Sequence, residues 1–153
     1  MNPPAPDRFR SEAILVARLL LVGLFLIYGW DKLTGFAGTV AYMAQVGAPA
    51  PALAAATAVL VEVVVALAIA AGLLTRPLAL LLAGYTLAAG IIGHPFWGAE
   101  GLARYADAIN FYKNVSIAGG CLLLAVTGAG RYAIDARIGR ARAFAPTRRL
   151  ADG

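Results

Sequence analysis

The sequence contains little of what most metal and nucleotide sites require. Its one cysteine, Cys121, excludes an internal disulfide and cannot by itself hold an iron–sulfur cluster. Its one histidine, His94, excludes bis-histidine haem ligation within the chain. No grouping of His, Cys and carboxylates has the spacing of a metal site, and there is no nucleophile elbow, phosphate-cradling glycine loop or dinucleotide fingerprint. The sequence therefore predicts no metal centre and none of these soluble-enzyme sites.

Charge is also scarce. Charged residues make up 14% of the 153 residues and hydrophobic residues 61%, whereas soluble domains carry about 25% charged residues. The net charge of +5 would suit nucleic acid, but six of the thirteen Lys and Arg residues lie between Arg131 and Arg149, and there is no zinc-finger spacing or aromatic–basic platform. This basic tail is typical of the cytoplasmic side of a membrane protein, in contact with anionic lipid. We expect the lipid bilayer as a partner and no nucleic acid.

Four apolar stretches predict the architecture. They cover residues 13–30, 51–74, 77–93 and 108–128, each near the ~20 residues that a helix needs to cross the hydrocarbon core. Backbone groups must be paired within lipid, so the predicted fold is all-α, an integral membrane four-helix bundle. We divide the chain into an amino-terminal cytoplasmic segment (1–12), a four-span membrane domain (13–128) and a basic cytoplasmic tail (129–153). Arg18 within the first stretch argues against a cleaved signal peptide.

Basic residues predict the orientation. Nine Lys and Arg residues flank the side that both termini would share, against three on the opposite side, and cytoplasmic loops carry the excess. Both termini are therefore expected in the cytoplasm. The first exterior connection is long enough for a short helix that ends at the Gly and Pro residues of "VGAPAP".

Two ionisable residues are predicted near mid-membrane. Counted from Trp30 and Pro51 as exterior ends, Arg18 lies roughly 18 Å deep and Glu62 roughly 16 Å deep at 1.5 Å per residue. Charges within spans usually have partners, so an Arg18–Glu62 ion pair is predicted. The pair could fix the register of the helices, or Glu62 could carry a proton or orient a ligand, because a carboxyl group in a low dielectric has a tunable pKa.

A second polar group is predicted closer to the exterior surface. It comprises Tyr28, Trp30, Asp31 and Lys32 at the end of the first span, His94 at the end of the third, and Asn110, Lys113 and Asn114 on the fourth. Lys113 could simply extend towards water, or it could pair with an acidic residue of the same layer. His94 could cap its helix or exchange protons near neutral pH. Together these side chains predict a pocket for a polar aromatic head such as a quinone.

The order and spacing of several short motifs resemble the pattern of the DoxX family of small membrane proteins. In chain order these are "LVARLLLVGLFL", "GWDKLTGF", "GAPAP", Glu62, "GLLTRPLAL", His94–Pro95–Phe96, "FYKNVSIAGGCLLL" and "GAGRYAID". The resemblance covers residues 13–135. It implies a four-helix protein of the plasma (inner) membrane, associated with thiosulfate–quinone chemistry or with soluble sulfur-transfer and detoxifying redox enzymes. The positions that match the family pattern are Arg18, Gly29, Lys32, Glu62, His94, Lys113 and Asn114.

Two functions follow as hypotheses. In the first, the chain is a membrane subunit of a quinone-linked redox system, with the ring between the exterior ends of spans one, three and four. Lys32 and Lys113 would then donate hydrogen bonds to its carbonyls and His94 would exchange protons. In the second, the chain is a non-enzymatic anchor, assembly factor or accessory subunit of a larger membrane complex.

Overall fold

Four long helices dominate the structure, a computed structural model that describes residues 5–143 and the side chains of residues 9–138. These spans, numbered first to fourth, are Ala5–Thr34, Pro51–Ala71, Thr75–Gly93 and Gly101–Thr127. Each is long and apolar enough to cross a membrane, and residues 5–143 contain no strand. The predicted all-α four-span fold is confirmed.

Shorter helices join or follow the spans. The connecting helix Phe36–Gln45 follows the first span, a 3-10 turn occupies Phe96–Gly98, and the tail helix Ile134–Ala143 follows the fourth span. The short helix predicted in the first connection is therefore present. We call the end of the bundle that carries Phe36–Gln45 the connecting end and the opposite end the tail end.

The spans extend beyond their apolar stretches. The first helix continues past Trp30 to Thr34, and the fourth begins at Gly101 instead of residue 108. An apolar stretch marks only the part of a helix that lies in the hydrocarbon core. The helix itself can continue into the headgroup layer with polar side chains such as Lys32. The ends themselves follow local chemistry: Pro51 begins the second span, and Gly72 ends it with a positive φ of 73°.

The core is narrow and the outer surface is apolar. Buried side chains from all four spans form one cluster that includes Val22, Phe25, Ile69, Leu82 and Cys121. On the outside, Leu20 and Val126 are 75% and 76% exposed. So much exposed apolar area would be a liability in water but is what lipid chains solvate.

The predicted Arg18–Glu62 pair is wrong. Arg18 instead donates to two backbone carbonyls at the tail end, 2.7 Å to Ala129 O and 2.8 Å to Tyr132 O, while Glu62 pairs with Lys32. The prediction assumed that the first two spans start at the same exterior level. In the structure the second span packs its first turns against the connecting helix, so Glu62 lies level with Gly29. Eleven residues, or about 16 Å of helix, separate that level from Arg18.

Candidate functional site

Glu62 lies within an irregular turn of the second span. The helix is π-helical over Leu60–Val65, between α-helical segments that end at Val59 and begin at Ala66. Such π-turns insert an extra residue into a helix and occur frequently at functional sites. The turn also carries a carboxylate whose side chain is only 8% exposed.

Both carboxylate oxygens of Glu62 have a partner from a different span. The Lys32 ammonium of the first span lies 2.6 Å from Oε2, and the Tyr85 hydroxyl of the third span donates to Oε1 over 2.5 Å. Lys32 neutralises the charge, and the hydroxyl satisfies the second oxygen, as a buried carboxylate requires. The three side chains therefore form one cluster that ties together three spans.

Gly29 makes this cluster possible. A methyl group at position 29 would lie 2.8 Å from Glu62 Cβ and 2.9 Å from its carbonyl carbon, well inside the normal separation of carbon atoms. Only glycine lets the first span approach the π-turn so closely. Lys32 follows Gly29 by one helical turn, which places its ammonium beside the carboxylate.

The cluster borders an open groove of about 380 Å³ at the connecting end. The groove lies between the end of the first span and the connecting helix, and its lining residues are Tyr28, Asp31, Lys32, Gly35, Gly38, Thr39 and Tyr42. The Lys32 ammonium lies 5.9 Å from the centre of the Tyr28 ring, at the outer limit of a cation–π contact. Lys32 is 26% exposed and is thus the member of the cluster that reaches the groove.

A second polar cluster closes the tail end. Besides the Arg18 bonds, both carboxylate oxygens of Asp135 accept backbone N–H groups at the start of the third span, 2.9 Å from Leu74 N and 3.1 Å from Thr75 N. The Asp135 amide in turn donates to Gly72 O over 3.0 Å. Asp135 therefore caps the third span from a distant part of the chain. This accounts structurally for the motif "GAGRYAID".

The DoxX family profile matches residues 13–95 of the chain. The chain belongs to the DoxX family. It is 51% identical over 128 residues to the inner membrane protein YphA of Escherichia coli K12, covering 84% of this chain and 91% of YphA. It is 43% identical over 128 residues to the inner membrane protein YqjF of the same organism, covering 84% and 93%. No solved structure is significantly similar to the chain.

These findings bear out the predicted family and location. With four spans and close relatives named as inner membrane proteins, this DoxX chain is a multi-pass inner (plasma) membrane protein. Neither relative's name states a reaction or a ligand.

The polar layer predicted for this DoxX protein is divided between separate places. Tyr28, Asp31 and Lys32 line the groove, whereas Trp30 is 61% exposed and is not among the lining residues. Lys113 is exposed and donates to Asn110 over 2.8 Å on its own helix.

The remaining predicted residues lie at the junction of the third and fourth spans. Asn114 packs against Gly90, and His94 Nδ1 lies 3.3 Å from Asp107 Oδ1. Four aromatic rings pack against one another beside this junction: Phe96, Trp97, Phe111 and Tyr112. His94 thus links the two spans, and neither it nor any fourth-span residue lines the groove.

Tyr85 and the connecting-helix side of the groove were not predicted from the sequence. Tyr85 carries a hydroxyl in the middle of an apolar span, away from the interface where membrane tyrosines usually lie. This unusual position is the sequence feature from which Tyr85 could have been predicted as a functional residue. Thr39 and Tyr42 gave no comparable signal, because their place in the groove depends on how the connecting helix folds back.

Proposed function

We propose that this DoxX protein is a membrane subunit of a quinone-linked redox system, and that the groove beside Lys32 binds the quinone head. The observation that carries the proposal is the Lys32–Glu62–Tyr85 cluster, with its buried carboxylate, bordering an open groove with aromatic side chains. Intramembrane ionisable residues that face a cavity are functional candidates by default.

The chemistry of the groove suits a neutral ring with carbonyl groups. Tyr28 and Tyr42 offer ring faces, and Lys32 offers N–H donors to a carbonyl oxygen. Asp31 in the lining and Glu62 behind it place negative charge near the ammonium, which disfavours an anionic ligand. A volume of about 380 Å³ lies within the range of small-molecule sites.

The cluster also supports proton transfer to such a ligand. Reduction of a quinone to a quinol takes up two electrons and two protons. Lys32 would donate one proton to a carbonyl oxygen and recover it from water in the open groove, which would also supply the second proton. The Glu62 carboxylate, held by the Tyr85 hydroxyl, would favour the protonated form of the lysine. The electrons would come from a partner redox protein, membrane-bound or soluble, that meets the chain at the groove.

We also propose that both termini lie in the cytoplasm and that the groove opens to the exterior, which rests on the excess of basic residues at the tail end. Single cysteines at Glu100 and at Arg131 would test this, since the native Cys121 is buried. In intact cells a membrane-impermeant maleimide should label the cysteine at position 100 and leave that at 131 unlabelled. The reverse pattern would overturn the orientation.

Binding of a short-chain ubiquinone to the detergent-solubilised protein tests the function. Lys32→Met should weaken binding by about tenfold, the loss of one hydrogen bond from a charged donor. Lys113→Met is the matched control, because it removes an exposed lysine of the fourth span and should leave affinity unchanged.

Equal loss in both variants, or no binding by the wild-type chain, would overturn the quinone proposal. Co-purification with a membrane complex in the absence of quinone binding would instead favour the non-enzymatic anchor or accessory subunit.

A further inference from the structure

A second and larger groove lies at the tail end, between the first and fourth spans. It encloses about 530 Å³ and is apolar over most of its length, with Phe9, Ile14 and Leu21 on one side and Leu123 on the other. Three small residues leave the space between the two helices: Ala13, Ala17 and Gly120. No residue of the Lys32 cluster contributes to it, so this groove is independent of the proposed quinone site.

The groove has the depth of one membrane leaflet. Its first-span lining runs from Phe9 to Leu21, which is about 18 Å of helix at 1.5 Å per residue. Half of a ~30 Å hydrocarbon core is about 15 Å. At its deep end the two spans meet, because a methyl group on Gly120 would lie 3.3 Å from Leu21 Cδ1. The groove therefore begins near the headgroups and closes near the bilayer centre.

Positive charge accompanies this apolar groove. Arg10 is exposed among its lining residues near the end of the bundle, and no ion pair of Arg10 occurs within the described residues. Arg18 forms part of the wall, is 1% exposed, and has its two terminal nitrogens on carbonyls of Ala129 and Tyr132. Carbonyls do not cancel its charge, although the nearby Asp135 carboxylate offsets part of it. Together with Arg10, this leaves the headgroup end of the groove electropositive.

We propose that this groove binds one acyl chain of an anionic phospholipid, with the lipid phosphate on Arg10. The apolar walls accommodate the chain, and the closed inner end limits it to one leaflet. Arg10 provides a planar fork of donors for phosphate oxygens, and Arg18, whose charge Asp135 offsets in part, adds a weaker attraction. A zwitterionic lipid with the same chains gains less from both arginines.

Native mass spectrometry of the full-length protein, titrated with phosphatidylglycerol or with phosphatidylcholine of identical chains, tests this site. The wild-type protein should retain one phosphatidylglycerol in preference to phosphatidylcholine. Arg10→Gln should reduce that preference about fivefold, the effect of one basic residue near a membrane surface. Arg131→Gln is the matched control, because it removes the same charge at the same end but outside the groove.

Filling the groove tests the acyl chain separately from the headgroup. Ala17→Phe should reduce retention of both lipids, whereas Ala56→Phe, at an exposed alanine of the second span, should reduce neither. Glycerol phosphate, which has no chain, should not compete.

Three results would overturn the proposal: equal retention of the two lipids by the wild type, equal loss in Arg10→Gln and Arg131→Gln, or full competition by glycerol phosphate. A protein dimer that Ala17→Phe dissolves without any change in lipid retention would also overturn it, and would assign the groove to a second copy of this chain.

Discussion

Replacement of Gly29 by alanine tests the contact on which the Lys32–Glu62–Tyr85 cluster depends. The added methyl group would lie 2.8 Å from Glu62 Cβ and 2.9 Å from Glu62 C, whereas carbon atoms pack best at about 3.5–4.0 Å. The first and second spans must therefore separate by roughly 0.7 Å or distort the π-turn. Forced overpacking of this kind costs about 1–3 kcal/mol.

Gly23→Ala provides the reference, because it lies on the same helix and a methyl group there meets no atom within 4 Å. Both substitutions gain the helix preference of alanine over glycine, about 1 kcal/mol, so that gain cancels in their difference. We expect the free energy of unfolding of Gly29→Ala to be about 1–3 kcal/mol below that of Gly23→Ala.

Unfolding by increasing mole fractions of dodecyl sulfate in mixed micelles, followed by helical circular dichroism, measures this difference. The same separation would lengthen the 2.6 Å contact between Lys32 and Glu62, so Gly29→Ala should also weaken quinone binding. If the two variants unfold within about 0.5 kcal/mol of each other, which is ordinary for substitutions without steric consequence, the close approach of the spans is refuted.

Three further predictions concern the charged residues of the two polar clusters. Lys32→Met and Glu62→Gln should each lower the free energy of unfolding by about 1–3 kcal/mol, because each single change leaves the other member of the pair unmatched. The double variant should lose less than the sum of the two. Additive losses in the same micelle titration would contradict the pair. Arg18→Met should lower the free energy of unfolding by about 3 kcal/mol, because two charge-assisted hydrogen bonds are lost. Its effect and that of Glu62→Gln should add within about 0.5 kcal/mol in the double variant, since the two sites are separate. A large coupling energy would instead support an Arg18–Glu62 pair. Asp135→Asn should lower the free energy of unfolding by about 1 kcal/mol and speed hydrogen exchange at the start of the third span. The reason is that an amide has one acceptor oxygen where the carboxylate has two. Unchanged exchange there would argue against the cap.

Much of the fold could be predicted from the sequence, because the physics involved is local in the chain. A run of ~20 apolar residues has to cross the bilayer as a helix whatever its neighbours do. Gly72 and Pro51 end and begin spans for reasons that hold within a few residues. The sequence also predicted that Arg18 and Glu62, both of which the structure buries, lie within spans and need partners.

The identity of those partners required the tertiary structure. Depth along one helix follows from a rise per residue, but the relative level of two helices depends on how the connection folds. Here the second span packs against the connecting helix, and Glu62 lies level with Gly29, within reach of the Lys32 side chain. Every residue carries a backbone carbonyl, so the sequence gives no indication that Arg18 donates to those of Ala129 and Tyr132. The position of a charge along its own helix is therefore predictable, whereas its level relative to another helix, and hence its partner, depends on the register that packing sets.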